Sequence, residues 1–241
     1  FRSSEFQALG FRAALGIERV RIFDIDPNAM EKFRRNIEPL GIEVYLADSV
    51  DDAVEGADII TTCTADKAQN TILDYSLVRP GVHINGVGGD CPGKTELAPA
   101  ILHRAGIFVE YPPQTRIEGE IQQLSAHVEV TELWRILAGD ASGRTSDAEV
   151  TVLDSVGFAL GDFSALRCAL DATEGTDLLG WVDLVADPDD RVAAGEARRP
   201  ELRPQPGGDG RGLGGLAVED HQVDAALVDR LEDGRGGGAL G

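Results

Sequence analysis

An acid and a base stand four positions apart in a glycine-containing segment, residues 85–94, which reads Asn-Gly-Val-Gly-Gly-Asp-Cys-Pro-Gly-Lys. The acid, Asp90, offers a carboxylate that can take a proton from an ammonium group and later return it. The base, Lys94, offers a cation. The glycines let a ligand approach the backbone closely, and Pro92 stiffens the loop. Each feature alone has an ordinary explanation as a turn, a loop acid or a solvated lysine, but together they indicate a functional site.

The chain around this segment alternates between short apolar, β-branched runs and helical patterns. Ser49 is a candidate N-cap, and Asp52 completes a pair that resembles a capping box. Alternation at these spacings predicts βα units and therefore an α/β fold with a doubly wound, mostly parallel sheet of the Rossmann type. The predicted strands are residues 20–24, 42–46, 58–64, 81–86, 107–110 and 150–155, and the predicted helices are residues 4–15, 28–37, 49–54 and 96–105.

Small and polar residues follow the predicted strands. Ligands of parallel α/β sheets bind at the carboxyl ends of the strands, so these residues should share one edge. Asp24 ends the first visible strand, where a Rossmann carboxylate would accept hydrogen bonds from the adenosine ribose of NAD. Considered alone, Asp24 is better explained as a loop acid. The residues at the predicted strand ends are Asp24, Thr64, residues 85–90, Glu110 and Ser155.

The glycine-rich turn of a Rossmann fold normally lies about 20 residues before such an acid. In this chain that place falls at or before Phe1. Residues 4–15 have the pattern of the helix that follows the turn. We therefore expect a chain truncated inside its first βα unit and a sheet that lacks its first strand.

Composition excludes several classes of partner. A net charge of −20 argues against nucleic acid, because phosphates would be repelled. No apolar run approaches the roughly 20 residues of a membrane span, and the N-terminus lacks a signal-peptide layout. Three widely spaced cysteines indicate reduced thiols in a cytoplasmic protein. No Cys and His cluster has zinc spacing, so we expect no metal.

The chain falls into three predicted regions. Residues 1–150 form a partial NAD-binding domain, and residues 151–190 form its final strand and a segment that returns toward a substrate domain. Residues 191–241 are rich in Gly, Pro and Arg, a composition that cannot bury enough apolar surface to offset chain entropy. Only residues 218–231 have a weak helical periodicity, and we expect disorder or loosely attached structure in this tail. Either a shifted reading frame or a natural flexible extension explains the abrupt change in composition.

Five motifs resemble the ornithine cyclodeaminase/mu-crystallin family. They occur in the order of the family and cover about residues 4–190. Three of them, which include Gly-Gly-Asp-Cys-Pro-Gly-Lys-Thr-Glu-Leu, resemble the bacterial cyclodeaminase branch in particular. The motifs are residues 4–9, 57–67, 80–97, 108–124 and 154–159.

The resemblance implies a role for each matching residue. Asp90 takes the place of the catalytic acid/base, which also contacts the substrate, and Val156 that of a second substrate contact. Packing at a strand end is the ordinary alternative, above all for Val156. The positions that match cofactor contacts are Asp24, Thr64, Asn85, Gly86, Val87, Gly88, Lys94 and Ser155.

The resemblance also implies a reaction. Family members use NAD to take a hydride from the α-carbon of an amino acid, close a ring with the δ-amino group, release ammonia and reduce the cyclic imine with the same cofactor. This chemistry converts L-ornithine to L-proline, and an intact member is expected to be a homodimer. Lysine cyclodeamination to pipecolate is one alternative, because pockets discriminate a single methylene by only about 1–3 kcal/mol.

Two further interpretations change the class of function. An imine reductase or amino-acid dehydrogenase of the same fold is one, although Asp90 argues against it. A non-catalytic binding protein or an inactive fragment is the second. The family has Gly-Ala-Gln against the pyrophosphate of the cofactor, and this chain has Phe1, Arg2 and Ser3 in that place. The basic residues that hold the substrate carboxylate in the family have no counterpart here. We therefore expect this chain alone to be inactive.

Two segments carry purely structural expectations. Pro112 and Pro113 are expected to fix an extended segment. Glu118 and Glu120 are expected to be solvated acids rather than residues of the cleft.

Overall fold

A computed structural model describes residues 2–65, 69–178 and 224–228 of the 241-residue chain. The strands are β1 (Arg19–Phe23), β2 (Glu43–Leu46), β3 (Ile59–Thr62), β4 (Gln69–Leu73), β5 (His83–Gly86), β6 (Thr95–Leu97), β7 (Gly106–Val109), β8 (Thr131–Glu132), β9 (Thr151–Asp154) and β10 (Asp224–Val228). The α-helices are α1 (Arg2–Leu15), α2 (Pro27–Ile37), α3 (Val50–Val54), α4 (Pro99–Leu102), α5 (Pro112–Glu118), α6 (Leu133–Ala138) and α7 (Ala159–Thr173).

The chain divides into two compact units. The first consists of Phe1–Ala159 with Asp220–Gly241, and the second of Leu160–Glu219. Strand β9 belongs to the first unit, which also contains all the residues that the sequence analysis assigns to a site. Within the residues that are described, no helix is both long enough and apolar enough to cross a membrane.

The main sheet of the first unit has the strand order β2-β1-β10-β3-β5-β9-β7-β8, and every neighbouring pair is parallel. From β1 the chain moves outward to β2, and from β3 it moves outward in the opposite direction to β5. This reversal is the topological switch point of a doubly wound sheet. The Rossmann-like fold predicted from the sequence is confirmed. A second sheet pairs β4 with β6.

Apolar residues in register build the core. Ile60, Ile84 and Val152 are paired across β3, β5 and β9, and none of their surface is exposed. Ile107 of β7 extends the row. Helix α4 covers this cluster with Ile101, which is fully buried. The core therefore fixes the strand register, because a slip of one residue would turn these side chains away from it.

The register brings six strands to a common carboxyl edge. Phe23 of β1 is paired with Val228, Val228 with Thr62, and Thr62 with Gly86. Gly86 is paired with Asp154, and Asp154 with Val109. The residues that follow these strands consequently emerge side by side, as the sequence predicts for a ligand-binding edge.

Strand β10 occupies the sheet position that the sequence analysis expected to lack a strand. It lies between β1 and β3, where the first strand of a Rossmann fold would stand. The sequence predicts disorder or loosely attached structure for residues 191–241, with a weak helical periodicity over residues 218–231, but residues 224–228 form this strand. The physical reason is that β1 and β3 each offer unpaired backbone groups, which β10 satisfies. Residues 179–190, 191–223 and 229–241 lie outside the described part of the chain.

Three local expectations differ from the structure. Residues 95–97 form β6, so the helix expected over 96–105 is reduced to α4, which begins at Pro99. Pro112 starts α5 instead of fixing an extended segment, since a proline at the first helical position loses no hydrogen bond. Ser49 caps α3 as predicted, but Asp52 accepts the N–H of Asp48 rather than that of Ser49.

Candidate functional site

The predicted cofactor residues lie along the carboxyl edge of the main sheet. Asp24 directly follows β1 and is 2% exposed, and its Oδ1 accepts the N–H of Asp26 at 2.8 Å. Asp26 in turn caps α2. Thr64 lies two residues beyond β3, and Ser155 directly follows β9. One edge thus brings together residues that are far apart in the sequence.

Asp90 and Lys94 are in contact within the loop after β5. The Nζ atom of Lys94 lies 3.2 Å from Oδ1 of Asp90, and the two side chains are 4% and 59% exposed. The same Nζ donates to the carbonyl of Thr64 at 2.9 Å. Lys94 is therefore a buried cation that connects this loop to the end of β3, while the Asp90 carboxylate remains accessible to a reactant.

The backbone of residues 86–88 is held against β3. The N–H groups of Val87 and Gly88 both donate to the carbonyl of Thr62, at 2.9 and 3.0 Å. A Cβ at Gly88 would lie 2.0 Å from a carboxylate oxygen of Glu96, so a larger residue there would have to displace this buried side chain. Gly86 ends β5 and is also buried. Glycine at these two positions leaves room for the side chains that pack against the turn, since a Cβ at Gly86 would lie 3.2 Å from Cγ of Glu120.

Ser155 and Val156 follow β9 at the same carboxyl edge and are partly exposed. The N–H of Ser155 donates to the carbonyl of Gly86 at 3.0 Å, and its hydroxyl donates to Glu110. Val156 is half-buried beside it. Tyr111 stacks on Phe158, with ring centroids 5.8 Å apart. Ser155 and Val156 thus lie at the same edge as Asp90.

Three buried carboxylates behind this edge were missed by the sequence analysis. Glu96, Glu120 and Asp154 are each at most 1% exposed. Glu120, expected to be a solvated acid, accepts the N–H groups of Glu96 and Leu97 at 2.7 and 3.0 Å. That expectation was wrong because a carboxylate can be buried when backbone donors satisfy it. Glu118 is half-buried and accepts from Gln114.

Burial perturbs all three carboxyl groups. It raises the pKa of Glu120 to about 8 and that of Asp154 to about 7, although the backbone N–H donors to each group oppose the shift. Burial also raises the pKa of Glu96, against hydrogen bonds from Thr64 and the charge of Lys94. The pKa values of Glu120 and Asp154 indicate acids that exchange protons near neutral pH. Nowhere in the described ranges do three or more His, Cys, Asp or Glu side chains form a group that could hold a metal ion.

Gln122, which the sequence analysis did not single out, forms hydrogen bonds with the backbone of the Asp90–Lys94 loop. Its Oε1 accepts the N–H of Gly93 at 2.7 Å, and its Nε2 donates to the carbonyl of Lys94 at 3.0 Å. Gly93 has a φ of +83°, a conformation that favours glycine. The motif Ile-Gln-Gln after Glu120 was a usable signal, because an amide can satisfy donors and acceptors together.

Comparisons with known proteins agree with this architecture. The sequence profile of the Ornithine cyclodeaminase/mu-crystallin family matches residues 2–177. The ornithine cyclodeaminase of Agrobacterium fabrum is 57% identical over 187 residues, which cover 78% of this chain and 53% of that protein. The ornithine cyclodeaminase of Brucella suis is also 57% identical, with 52% of its length covered. The chain spans about half the length of the curated relatives it matches.

Two solved structures are similar in fold. A lysine cyclodeaminase that recognises L-lysine, L-ornithine and L-2,4-diaminobutyric acid is 34% identical, with a TM-score of 0.66 over 70% of this chain and 49% of that one. An archaeal alanine dehydrogenase dimer with bound NAD is 30% identical, with a TM-score of 0.63 over 70% of this chain and 54% of that one. Profile, relatives and fold agree, and the chain belongs to the ornithine cyclodeaminase/mu-crystallin family.

Proposed function

We propose that this chain is the cofactor-binding and proton-transferring part of an NAD-dependent ornithine cyclodeaminase, which converts L-ornithine to L-proline and ammonia. The observation that carries the proposal is the 57% identity to ornithine cyclodeaminases across the region that contains Asp90 and Lys94. The contact between these two side chains at the carboxyl edge supports it. The intact protein is proposed to be a cytoplasmic homodimer.

Features of the carboxyl edge fit a dinucleotide. The buried Asp24 at the end of β1 is suited to the hydroxyls of the adenosine ribose. On adjacent strands, the hydroxyl of Thr61 and the amide nitrogen of Asn85 are buried, and neither has a hydrogen-bond partner among the residues described. Buried polar atoms need a partner, and a polar cofactor or ordered water supplies one. Gly86 and Gly88 keep side chains out of the turn between Asn85 and Lys94.

Asp90 of this chain would carry out the proton transfers of the reaction. NAD, when bound, supplies reversible hydride transfer at the α-carbon of the amino acid. The Asp90 carboxylate would accept a proton from the δ-ammonium group, which makes that amine a nucleophile, and would return it to the leaving ammonia. Lys94 holds Asp90 in place and compensates its charge when the carboxylate is ionised. Ornithine loses one ammonia and gains one ring, so no external oxidant is consumed.

Ornithine is favoured over lysine as the substrate. The two named ornithine cyclodeaminases are 57% identical to this chain, whereas the lysine cyclodeaminase of known structure is 34% identical. That lysine cyclodeaminase recognises both amino acids, so the preference concerns relative rates. A test with both substrates, scored as kcat/KM, separates the alternatives.

A chimera tests the proposal. The matched 187 residues of the Agrobacterium fabrum enzyme are replaced by those of this chain. The chimera should release ammonia from ornithine in the presence of NAD, and Asp90→Asn should lower kcat by a factor of about 100 or more. Asp147→Asn, a matched change on an exposed residue, should leave kcat unchanged. A folded chimera that binds NAD without ornithine turnover, or a fully active Asp90→Asn chimera, contradicts the proposal.

A further inference from the structure

The three buried carboxylates form a ladder across four chain segments. Asp154, at the end of β9, accepts the N–H groups of Glu120 and Ile121 at 2.9 and 2.8 Å. Glu120 accepts those of Glu96 and Leu97 in β6. Glu96 accepts the N–H of Thr64 at 2.9 Å and also the hydroxyl of Thr64. Each carboxylate therefore accepts hydrogen bonds from the backbone of the next segment. The series ends at Thr64, which lies at the carboxyl edge of the main sheet.

Two residues of one short segment, Lys94 and Glu96, form hydrogen bonds with Thr64. Glu96 takes its N–H and its hydroxyl, and Lys94 donates to its carbonyl. Glu96 and Lys94 are both buried residues. Since Lys94 also contacts Asp90, a displacement of Thr64 would be transmitted to the proposed catalytic acid.

Glu96 also contacts the turn after β5. The backbone of Gly88 runs so close to the Glu96 carboxylate that a Cβ would overlap both of its oxygens. The side chain therefore lies between the ends of β3 and β5, against the two turns that would receive the cofactor. An apolar residue of similar size would fill this space but would leave the N–H and hydroxyl of Thr64 unsatisfied, at a cost in free energy.

We propose that Glu96 is a positioning residue, which fixes Thr64 against the Asp90–Lys94 loop and thereby sets the geometry of the cofactor edge. The role lies in the position of its acceptor oxygen, and Glu120 and Asp154 hold that oxygen in place through the backbone of β6. This inference rests on the proposed function, since it assigns Glu96 to the binding of the same cofactor.

The acceptor oxygen and the charge can be separated by mutation. Both bonds from Thr64 end on the same oxygen, Oε1. Glu96→Gln keeps this acceptor and removes the charge. Glu96→Asp keeps the charge but withdraws the acceptor by one methylene. A positioning role predicts that Gln is tolerated and Asp is not, whereas a purely electrostatic role predicts the reverse.

The experiment measures NADH binding to the full chain by its fluorescence, together with the thermal midpoint of each variant. Glu96→Asp should weaken NADH binding by about tenfold or more, and Glu96→Gln by less than about threefold. Glu149→Asp is the matched control. Glu149 accepts the N–H and hydroxyl of Thr145 in the same arrangement, at the amino end of β9. This control should leave NADH binding unchanged.

A second readout separates this proposal from the proposed function. Hydrogen exchange of the segment that contains Thr64 should accelerate in Glu96→Asp and stay slow in Glu96→Gln, with or without cofactor. Equal exchange in both variants, or NADH affinities that follow the charge, overturns the positioning role. If the unmodified chain binds no NADH, the cofactor assignment fails, and the exchange result alone decides whether Glu96 positions Thr64.

Discussion

Among the glycines that the structure describes, Gly88 has the least space for a side chain. A Cβ there would lie 2.0 Å from Oε1 and 2.1 Å from Oε2 of Glu96, so the buried carboxylate or the backbone must move. Gly88→Ala is expected to destabilise the chain by about 1–3 kcal/mol, measured as the free energy of unfolding in urea. It should also weaken NADH binding, because the displaced group is Glu96.

Gly10 provides the control for this substitution. It lies in α1, is exposed, and has no atom within 4 Å of the position that an alanine methyl group would take. Gly10→Ala should be neutral or stabilising by up to about 1 kcal/mol, as expected of alanine in a helix. A Gly88→Ala chain as stable as the Gly10→Ala chain would contradict the close packing described for Glu96.

Glu120 links stability to pH. Its pKa is about 8 in the folded chain against an ordinary value of 4.5, so the folded state binds more protons between these values. Stability is therefore expected to fall as pH rises from about 5 to 8, by at most about 1.4 kcal/mol per pH unit for one group. Asp154, with a pKa of about 7, acts in the same direction.

The variant Glu120→Gln checks this dependence. Urea unfolding between pH 5 and 9 should show a flatter pH dependence for Glu120→Gln than for the unmodified chain. Its stability at pH 5 should also be lower, since an amide group would face the N–H of Leu97. Glu118→Gln, a control outside the ladder, should retain the original slope. Parallel slopes for the chain and Glu120→Gln would exclude Glu120 as the titrating group.

The sequence predicts the location of those candidate site residues that follow the ends of strands. Asp24, Thr64 and Ser155 lie at the expected edge because strand periodicity and parallel pairing determine where strands stop. The ladder was not predictable in this way. Glu120 looks like a surface acid in the sequence, and its donors at residues 96 and 97 are distant along the chain. Burial of a carboxylate depends on such long-range partners.

At the level of elements, a substitution in β10 tests whether this strand pairs with β1 and β3. Ala226 pairs with Arg21 on one side and Ile60 on the other. Ala226→Pro removes an N–H from a central strand and is expected to destabilise the chain by about 3 kcal/mol. Thermal unfolding followed by circular dichroism measures the loss. Ala226→Ser retains the N–H and should have a much smaller effect; equal thermal midpoints for both variants would argue against the pairing of β10.

Elements with strong local signals were predicted well, and the others were not. Strands β3 and β5 follow from apolar, β-branched runs bounded by turn residues. Strand β10, Asp-Ala-Ala-Leu-Val, has a weak strand propensity and forms where two neighbours already offer backbone partners. The helical start at Pro112 was missed because proline signals both extended chain and a first helical turn.

For the whole molecule, the exposed face of α7 predicts self-association. Leu160, Phe163 and Leu166 are 62%, 57% and 70% exposed and recur at helical spacing. Such a stripe favours association, while a net charge of −20 opposes it. Light scattering should therefore show association that grows with protein concentration and with salt, as salt screens the repulsion.

A single charge on the stripe should reverse this behaviour. Leu166→Lys is expected to shift the chain toward the monomer in size-exclusion chromatography. Ala165→Lys adds the same charge one position away, off the apolar stripe, and should change the elution volume less. If both lysines act equally, net charge rather than the apolar face controls the association.

The placement of β10 also orders events during synthesis. Its partners in β1 are about 200 residues earlier in the chain, so the centre of the sheet closes only after residue 228 has left the ribosome. Contacts this far apart slow folding, and until they form, β1 and β3 present open edges to other chains. Expression yield should therefore respond to chaperone supply and growth temperature more strongly than the stability of the finished sheet would suggest.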